Sequence, residues 1–135
     1  MRFTGMIAVF ASLSLAGCAA YGGAKLLPVP MQVSAPRGTT VRSAVAIETS
    51  TGVRFHGAVC RQATAQSPTR VRVERIGDGG VVTATASRSL ATRDRRQGGC
   101  SYYDVTTDWK LGATEHVRIC ASRGGGACPA SPAGT

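Results

Sequence analysis

Aromatic residues are scarce in this 135-residue chain: three Phe, three Tyr and one Trp. Little side-chain area is on offer for a large core or for stacking nucleic-acid bases. Acidic residues are scarcer than basic ones, 7 against 16, so the formal charge is +9. No run of apolar residues is long enough to cross a bilayer as a helix. No two cysteines are spaced C-x-x-C, so the commonest redox and zinc-ribbon signatures are absent. G-x-S-x-G, H-E-x-x-H, P-loop and dinucleotide fingerprints are absent too, and the carboxylates are scattered rather than paired. The length suits one domain and is too short for a Rossmann or barrel enzyme. The expectation is therefore a non-enzyme, with no catalytic residue, no cofactor and no metal site.

What is present begins with the first twenty residues. Arg2 precedes an uncharged apolar run over residues 6–15, about half the length needed to span a bilayer core. A charged start, a short apolar stretch and small residues after it describe a secretory signal over residues 1–17. Leu15-Ala16-Gly17-Cys18 resembles the lipobox of bacterial lipoproteins. The resemblance implies that Cys18 takes a diacylglycerol on sulfur, that the leader is cut before it, and that its amine is then acylated, with palmitate as the expected chain. It also implies a lipid-anchored protein; Ala19, rather than Asp, points to the outer membrane and its periplasmic face. Two or three acyl chains, at about 0.8 kcal/mol per buried CH₂, hold such an anchor firmly.

Beyond the leader, Gly22, Gly23, Pro28, Pro30 and Pro36 mark residues 18–37 as a flexible tether, because proline withholds a ladder donor and stiffens the chain. Residues 38–121 read as the domain, and 122–135, with three consecutive glycines, as an irregular tail pinned through Cys128. Inside the domain the period is two. Val41, Val45 and Ile47 alternate with Arg42, Ala44 and Ala46; Val53, Phe55, Gly57 and Val59 alternate with Arg54, His56 and Ala58. Val71 and Val73 face away from Arg70, Arg72 and Glu74. Turns fall at Ser50-Thr51-Gly52 and Gly77-Asp78-Gly79-Gly80. Residues 101–107 and 116–121 read as a last hairpin around Lys110-Leu111-Gly112. Short strands with Gly-rich turns predict an all-β fold, a small antiparallel sandwich or barrel.

With Cys18 lipidated, Cys60, Cys100, Cys120 and Cys128 remain, an even number that predicts two disulfides in an exported chain. An up-and-down strand order gathers all four at one pole. The last hairpin puts Cys100 opposite Cys120, leaving Cys60 for Cys128. Cys60–Cys100 with Cys120–Cys128 is the close alternative, and spacing alone does not choose between them.

Gly57-Ala58-Val59, then residues 71–75, then Asp78-Gly79-Gly80-Val81-Val82 resemble the G-x-V, strand, D-x-x-G-x-V-V order of immunoglobulin-like domains in extracytoplasmic lipoproteins of the FxLYD type. Val71-Arg72-Val73-Glu74-Arg75 stands where that type has its Leu-Tyr-Asp. The resemblance implies an immunoglobulin-like sandwich and, since fold does not fix function, no activity.

Candidate binding residues are of two kinds. Arg88, Arg93, Arg95 and Arg96 crowd nine residues, and the guanidinium fork suits phosphate or carboxylate. Lipid A phosphates, phospholipid headgroups and wall carboxylates are envelope anions of that kind. Tyr102 and Tyr103 point to opposite faces, one core and one exposed; Tyr103 and Trp109 are the candidate anchors for a protein partner. His116 is placed opposite Asp104 as a solvated pair. The sequence thus predicts a non-catalytic envelope lipoprotein acting as an accessory or interaction module, or else a binder of anionic lipid or polymer. Nucleic acid is not an expected partner.

Overall fold

The computed structural model describes residues 24–90 and 99–129. Eight strands run in order: β1 (Leu26–Leu27), β2 (Met31–Ser34), β3 (Thr39–Glu48), β4 (Val53–Arg61), β5 (Arg70–Ile76), β6 (Val82–Ser89), β7 (Gly99–Thr107) and β8 (His116–Ser122). They form two four-stranded sheets, ordered β1-β3-β4-β7 and β2-β8-β5-β6. All neighbours are antiparallel except β2 and β8, which are parallel. The inner faces meet in one core, with Phe55, Val71, Val73, Val117 and Ile119 fully buried. Each such side chain contributes about 1.5–3 kcal/mol by leaving water. The fold is the two-disulfide sandwich that the alternation predicts. β3 turns straight into β4 within one sheet, and the chain crosses to the other sheet between β4 and β5.

The turns sit where the sequence puts them. At residues 49–52 the Gly52 N–H donates to Thr49 Oγ1 and the Thr49 N–H donates to Gly52 O. A Cβ on Gly52 would lie 2.1 Å from the carbonyl oxygen of Thr107, so only glycine fits. Gly79 and Gly80 both take φ near +76°, which glycine adopts without a Cβ clash.

Four expectations need correction. Residues 24–37 are not simply a tether: β1 pairs with β3, and β2 pairs with β8 in the other sheet. The prolines flank these short strands instead of interrupting them, so no ladder donor is lost. Nor do residues 101–107 and 116–121 form a hairpin: β7 pairs with β4, and β8 with β5 and β2. Between them Trp109 packs edge-to-face on Phe55, centroids 5.8 Å apart, and Leu111 lies against the core. Burying these two side chains carries the chain over the end of the sandwich into the other sheet.

The third concerns β3. Its register slips between Arg42 and Val45, leaving Ser43 and Ala44 opposite the single residue Gly57. A bulge of this kind reverses the faces beyond it. Ala46 therefore enters the core, while Val45 and Ile47 stand beside His56 and Arg54. Gly57 is required there: a Cβ would lie 2.5 Å from the hydroxyl of Tyr103, whose ring covers it.

The fourth is the disulfide pairing. Cys60 bonds to Cys100 across β4 and β7, and Cys120 bonds to Cys128. Cys60 and Cys120 lie toward the same end of the molecule but in different sheets. Sheets pack about 10 Å apart, and side chains on their outer faces diverge further, so the Cys100–Cys120 pairing is out of reach.

Candidate functional site

Among the described residues, three places carry clustered polar chemistry. The first is the outer face of the sheet containing β4. There the β4–β7 register sets Arg54 beside Thr106, His56 beside Asp104, Ala58 beside Tyr102 and Cys60 beside Cys100. His56 Nδ1–H donates to Asp104 Oδ1 at 3.0 Å, and Arg54 Nε lies 2.9 Å from the same oxygen as an ion pair. Because a carboxylate only accepts, this contact holds the imidazole proton on Nδ1. The Tyr102 ring stacks parallel to His56, centroids 6.2 Å apart, and is 72% exposed. The partner of Asp104 is thus His56 and not His116, since β7 lies against β4.

The second is a cleft of about 340 Å³ at the pole where β3 begins and β4 ends. It is lined by Thr39, Thr40, Arg42, Arg61 and the Cys60–Cys100 disulfide, with Gly38 and Gly99 at its margins. Arg61 reaches the carbonyl oxygens of Gln62, Ala63 and Ala65 at 3.4–3.5 Å. Arg42 is exposed and makes no hydrogen bond or ion pair among the described residues. Thr39 is buried, and its hydroxyl has no partner among them. Ser43, next to Arg42 in the bulge, sits at φ +53°, a region that costs a non-glycine residue about 1–2 kcal/mol. At the opposite pole, a second cleft of about 450 Å³ is lined by Leu27, Glu48, Trp109, Lys110 and Leu111.

The third is the outer face of the other sheet, which is covered around Glu74. Glu74, expected on a solvated strand face beside Arg70 and Arg72, is 1% exposed. The Cys120–Cys128 bond ties the tail back over it. The Cys128 N–H donates to Glu74 Oε2 at 3.4 Å, Arg72 Nε–H donates to the same oxygen at 3.0 Å, and Arg118 Nη1 stands 4.0 Å from Oε1. Nearby at the rim, Arg75 clasps Glu115 through two nitrogens, and Gly112 N–H donates to Glu115 Oε1 at 2.8 Å. The Arg75 guanidinium holds the Glu115 carboxyl down at about 2.

Of the candidate binding residues, Arg88 is exposed at the end of β6, opposite Val71. Cys18, Arg93, Arg95 and Arg96 lie outside the described residues. Tyr103 is 3% exposed and Trp109 8%, so neither presents a free surface; among the described residues the exposed aromatic side chain is that of Tyr102. Burial pushes the Tyr103 phenol up to about 12. The alternation did predict one tyrosine in and one out. It gave no sign of the cleft lined by Thr39, Arg42 and Arg61, because its walls come from strands and a cross-strand disulfide that only the β3–β4–β7 register brings together. Among the described residues no group of three or more His, Cys, Asp or Glu side chains could hold a metal ion, and no helix is long and apolar enough to cross a membrane. No protein-family model, curated protein or solved structure matches the chain.

Proposed function

We propose that this protein is a lipid-anchored, non-catalytic module of a bacterial envelope, held through Cys18 at the periplasmic face of the outer membrane and acting through contacts of its sandwich. The observation that carries the reading is the lipobox-like Leu15-Ala16-Gly17-Cys18 after a short apolar leader. Two disulfides in a small domain suit an oxidising compartment. The His56–Asp104 pair stands at the surface beside the exposed ring of Tyr102, an arrangement that suits contact with a partner. The Tyr102 face offers a protein partner an exposed ring flanked by charge.

The test is fractionation of cells expressing the wild type and Cys18→Ser, with mass analysis of the mature N-terminus. The wild type is expected in the outer membrane with an acylated Cys18, and the variant in the soluble fraction. A variant that stays membrane-bound, or a wild type without acyl mass, sinks the anchor. In-cell crosslinking then identifies the partner, with Tyr102→Ala expected to weaken its capture.

A second reading, binding of an anionic envelope lipid or polymer, is favoured by the cleft at the far pole, where Arg42 has no carboxylate among the described residues. The 88–96 arginine cluster is the other candidate for that role. Changing Arg93, Arg95 and Arg96 to Glu together, and raising salt, distinguishes a diffuse charge effect from a built site.

A further inference from the structure

We propose that the pole of the sandwich opposite the chain's entry is a cationic cap that binds a linear anionic polysaccharide by its repeated charge. The proposal rests on the anion-binding reading and gives it a surface and a class of partner.

The cap is built around residues 62–69, which link β4 to β5 and so join the two sheets. Gln62 N–H donates to Gly38 O, just ahead of β3. Thr69 N–H donates to Ser122 O at the end of β8, and Leu90 N–H, just after β6, donates to Thr69 O. These bonds gather strand ends from both sheets at one place. Arg61 and Arg70 flank the link, and no charged residue stands between them. Arg37 precedes Gly38, and Arg42 borders the same cleft as Gln62. Arg88 lies opposite Val71, next to Arg70, and Arg123 donates to Gln66 Oε1 within the link. Arg37, Arg42, Arg70, Arg88 and Arg123 are exposed, and none makes an ion pair among the described residues. Arg70 and Arg123 bond only neutral groups, Ser87 Oγ and Gln66 Oε1.

The acids are sorted the other way. Glu48, Asp78, Asp108 and Glu115 lie at the ends of β3, β5 and β7 and ahead of β8, all at the entry pole. There Lys25 pairs with Glu48, and Arg75 with Glu115. Glu74 is buried with Arg72, and Asp104 is held within β7 by Arg54 and His56. No described acid is left at the cap. Solvation alone does not sort charges lengthwise, because mixed signs are hydrated as well and repel less. Like charges gathered at one end, inside a screening length of about 8 Å, favour a counter-charge that neutralises them.

What the cap lacks selects the partner. Residues 35–38, 62–69 and 122–127 carry no aromatic and no large apolar side chain. A protein partner finds no anchor there, a nucleic acid no ring to stack on, and a bilayer no side chain to receive. Charge alone is on offer, and charge alone suffices for a polyanion, whose condensed counterions are released on binding. The arginines are spread over strand ends in two sheets about 10 Å apart, which matches repeated anions better than a single one. Position agrees. The Glu48 N–H donates to Lys25 O, so the described chain enters at the Glu48 end of β3. The cap lies at the Thr39 end, about 30 Å away at roughly 3.3 Å per residue. With Cys18 as the anchor, the cap points away from the bilayer that holds it.

The experiment measures binding of the full chain, in neutral detergent, to immobilised polygalacturonate, with dextran as the uncharged control. Saturable binding to the first alone is expected, falling about tenfold or more as salt rises from about 50 to about 200 mM. Two double variants remove the same charge from opposite poles. Arg37→Gln with Arg123→Gln should weaken binding about tenfold, and Lys25→Gln with Lys110→Gln should change it less than about twofold. Equal losses for the two pairs reduce the effect to net charge and overturn the cap. No loss from the cap pair, with loss when Arg93, Arg95 and Arg96 become Glu, overturns the cap and keeps the anion-binding reading. If phosphatidylglycerol vesicles bind and polygalacturonate neither binds nor competes, the polysaccharide is overturned and a lipid takes its place. No salt-sensitive binding to polymer or vesicle overturns the cap and the anion-binding reading together.

Discussion

The two outer faces of the sandwich use the same residue types to opposite ends. On one, Asp104 joins His56 and Arg54 in the open, its side chain 52% exposed. On the other, Glu74 joins Arg72 and Arg118 beneath a disulfide-tied tail, 1% exposed. In water an ion pair gains little over hydration, so the first cluster is free to exchange partners. Out of water a lone charge is costly, so the second commits its residues to one arrangement. Burial, not composition, decides which arginines remain available to a ligand.

Glu74→Ala should break that contrast most severely. It strands two partly buried guanidinium groups and is expected to cost about 3–5 kcal/mol in denaturant unfolding. The two disulfides come next. By loop-closure entropy, replacing Cys60 and Cys100 together by Ala should cost about 4 kcal/mol for a separation of 40 residues. The Cys120, Cys128 pair, 8 residues apart, should cost about 2.5 kcal/mol and raise hydrogen exchange around Glu74. Asp104→Ala on the open face should cost less than about 1 kcal/mol. An equal cost for Asp104→Ala and Glu74→Ala would erase the distinction between the faces.

The rim adds a pH test of smaller effect. Because Arg75 holds the Glu115 carboxyl below its ordinary 4.5, at about 2, the folded state binds that proton less readily than the unfolded chain. The resulting stabilisation is complete above about pH 4.5 and fades as pH falls toward 2. Unfolding curves of the wild type and Glu115→Gln should therefore converge across that window. A gap that stays constant would remove Glu115 as the titrating group.

Strands and turns were legible because they are local. Val53, Phe55 and Val59 mark a buried face by spacing alone, and Gly79 and Gly80 mark a turn by their freedom at positive φ. Partner choice was not legible. Whether β7 turns back on β8 depends on where Trp109 and Leu111 find cover, and that is decided by Phe55, far away in sequence. The bulge at Ser43 shows the same limit at finer scale. An unbroken two-residue alternation puts Val41 and Val45 on one face, and only the partner strand reveals the extra residue. The burial of Glu74 depends on Cys128, 54 residues on; a cysteine eight residues after Cys120, beyond a run of glycines, was the available hint that the tail folds back.

The parallel pairing of β2 with β8 has a mechanical consequence. The chain enters at the Glu48 pole and runs along both sheets toward the cleft pole, with Met31 through Ser34 matched to Val117 through Cys120. Suppose the molecule is held by its N-terminal end while a ligand tugs at the opposite pole. The load then runs along the strands and shears the β2–β8 ladder as a block, where a perpendicular pull would peel it one bond at a time. A short edge strand that adds little buried area would thus resist traction along the strands well beyond its share of equilibrium stability.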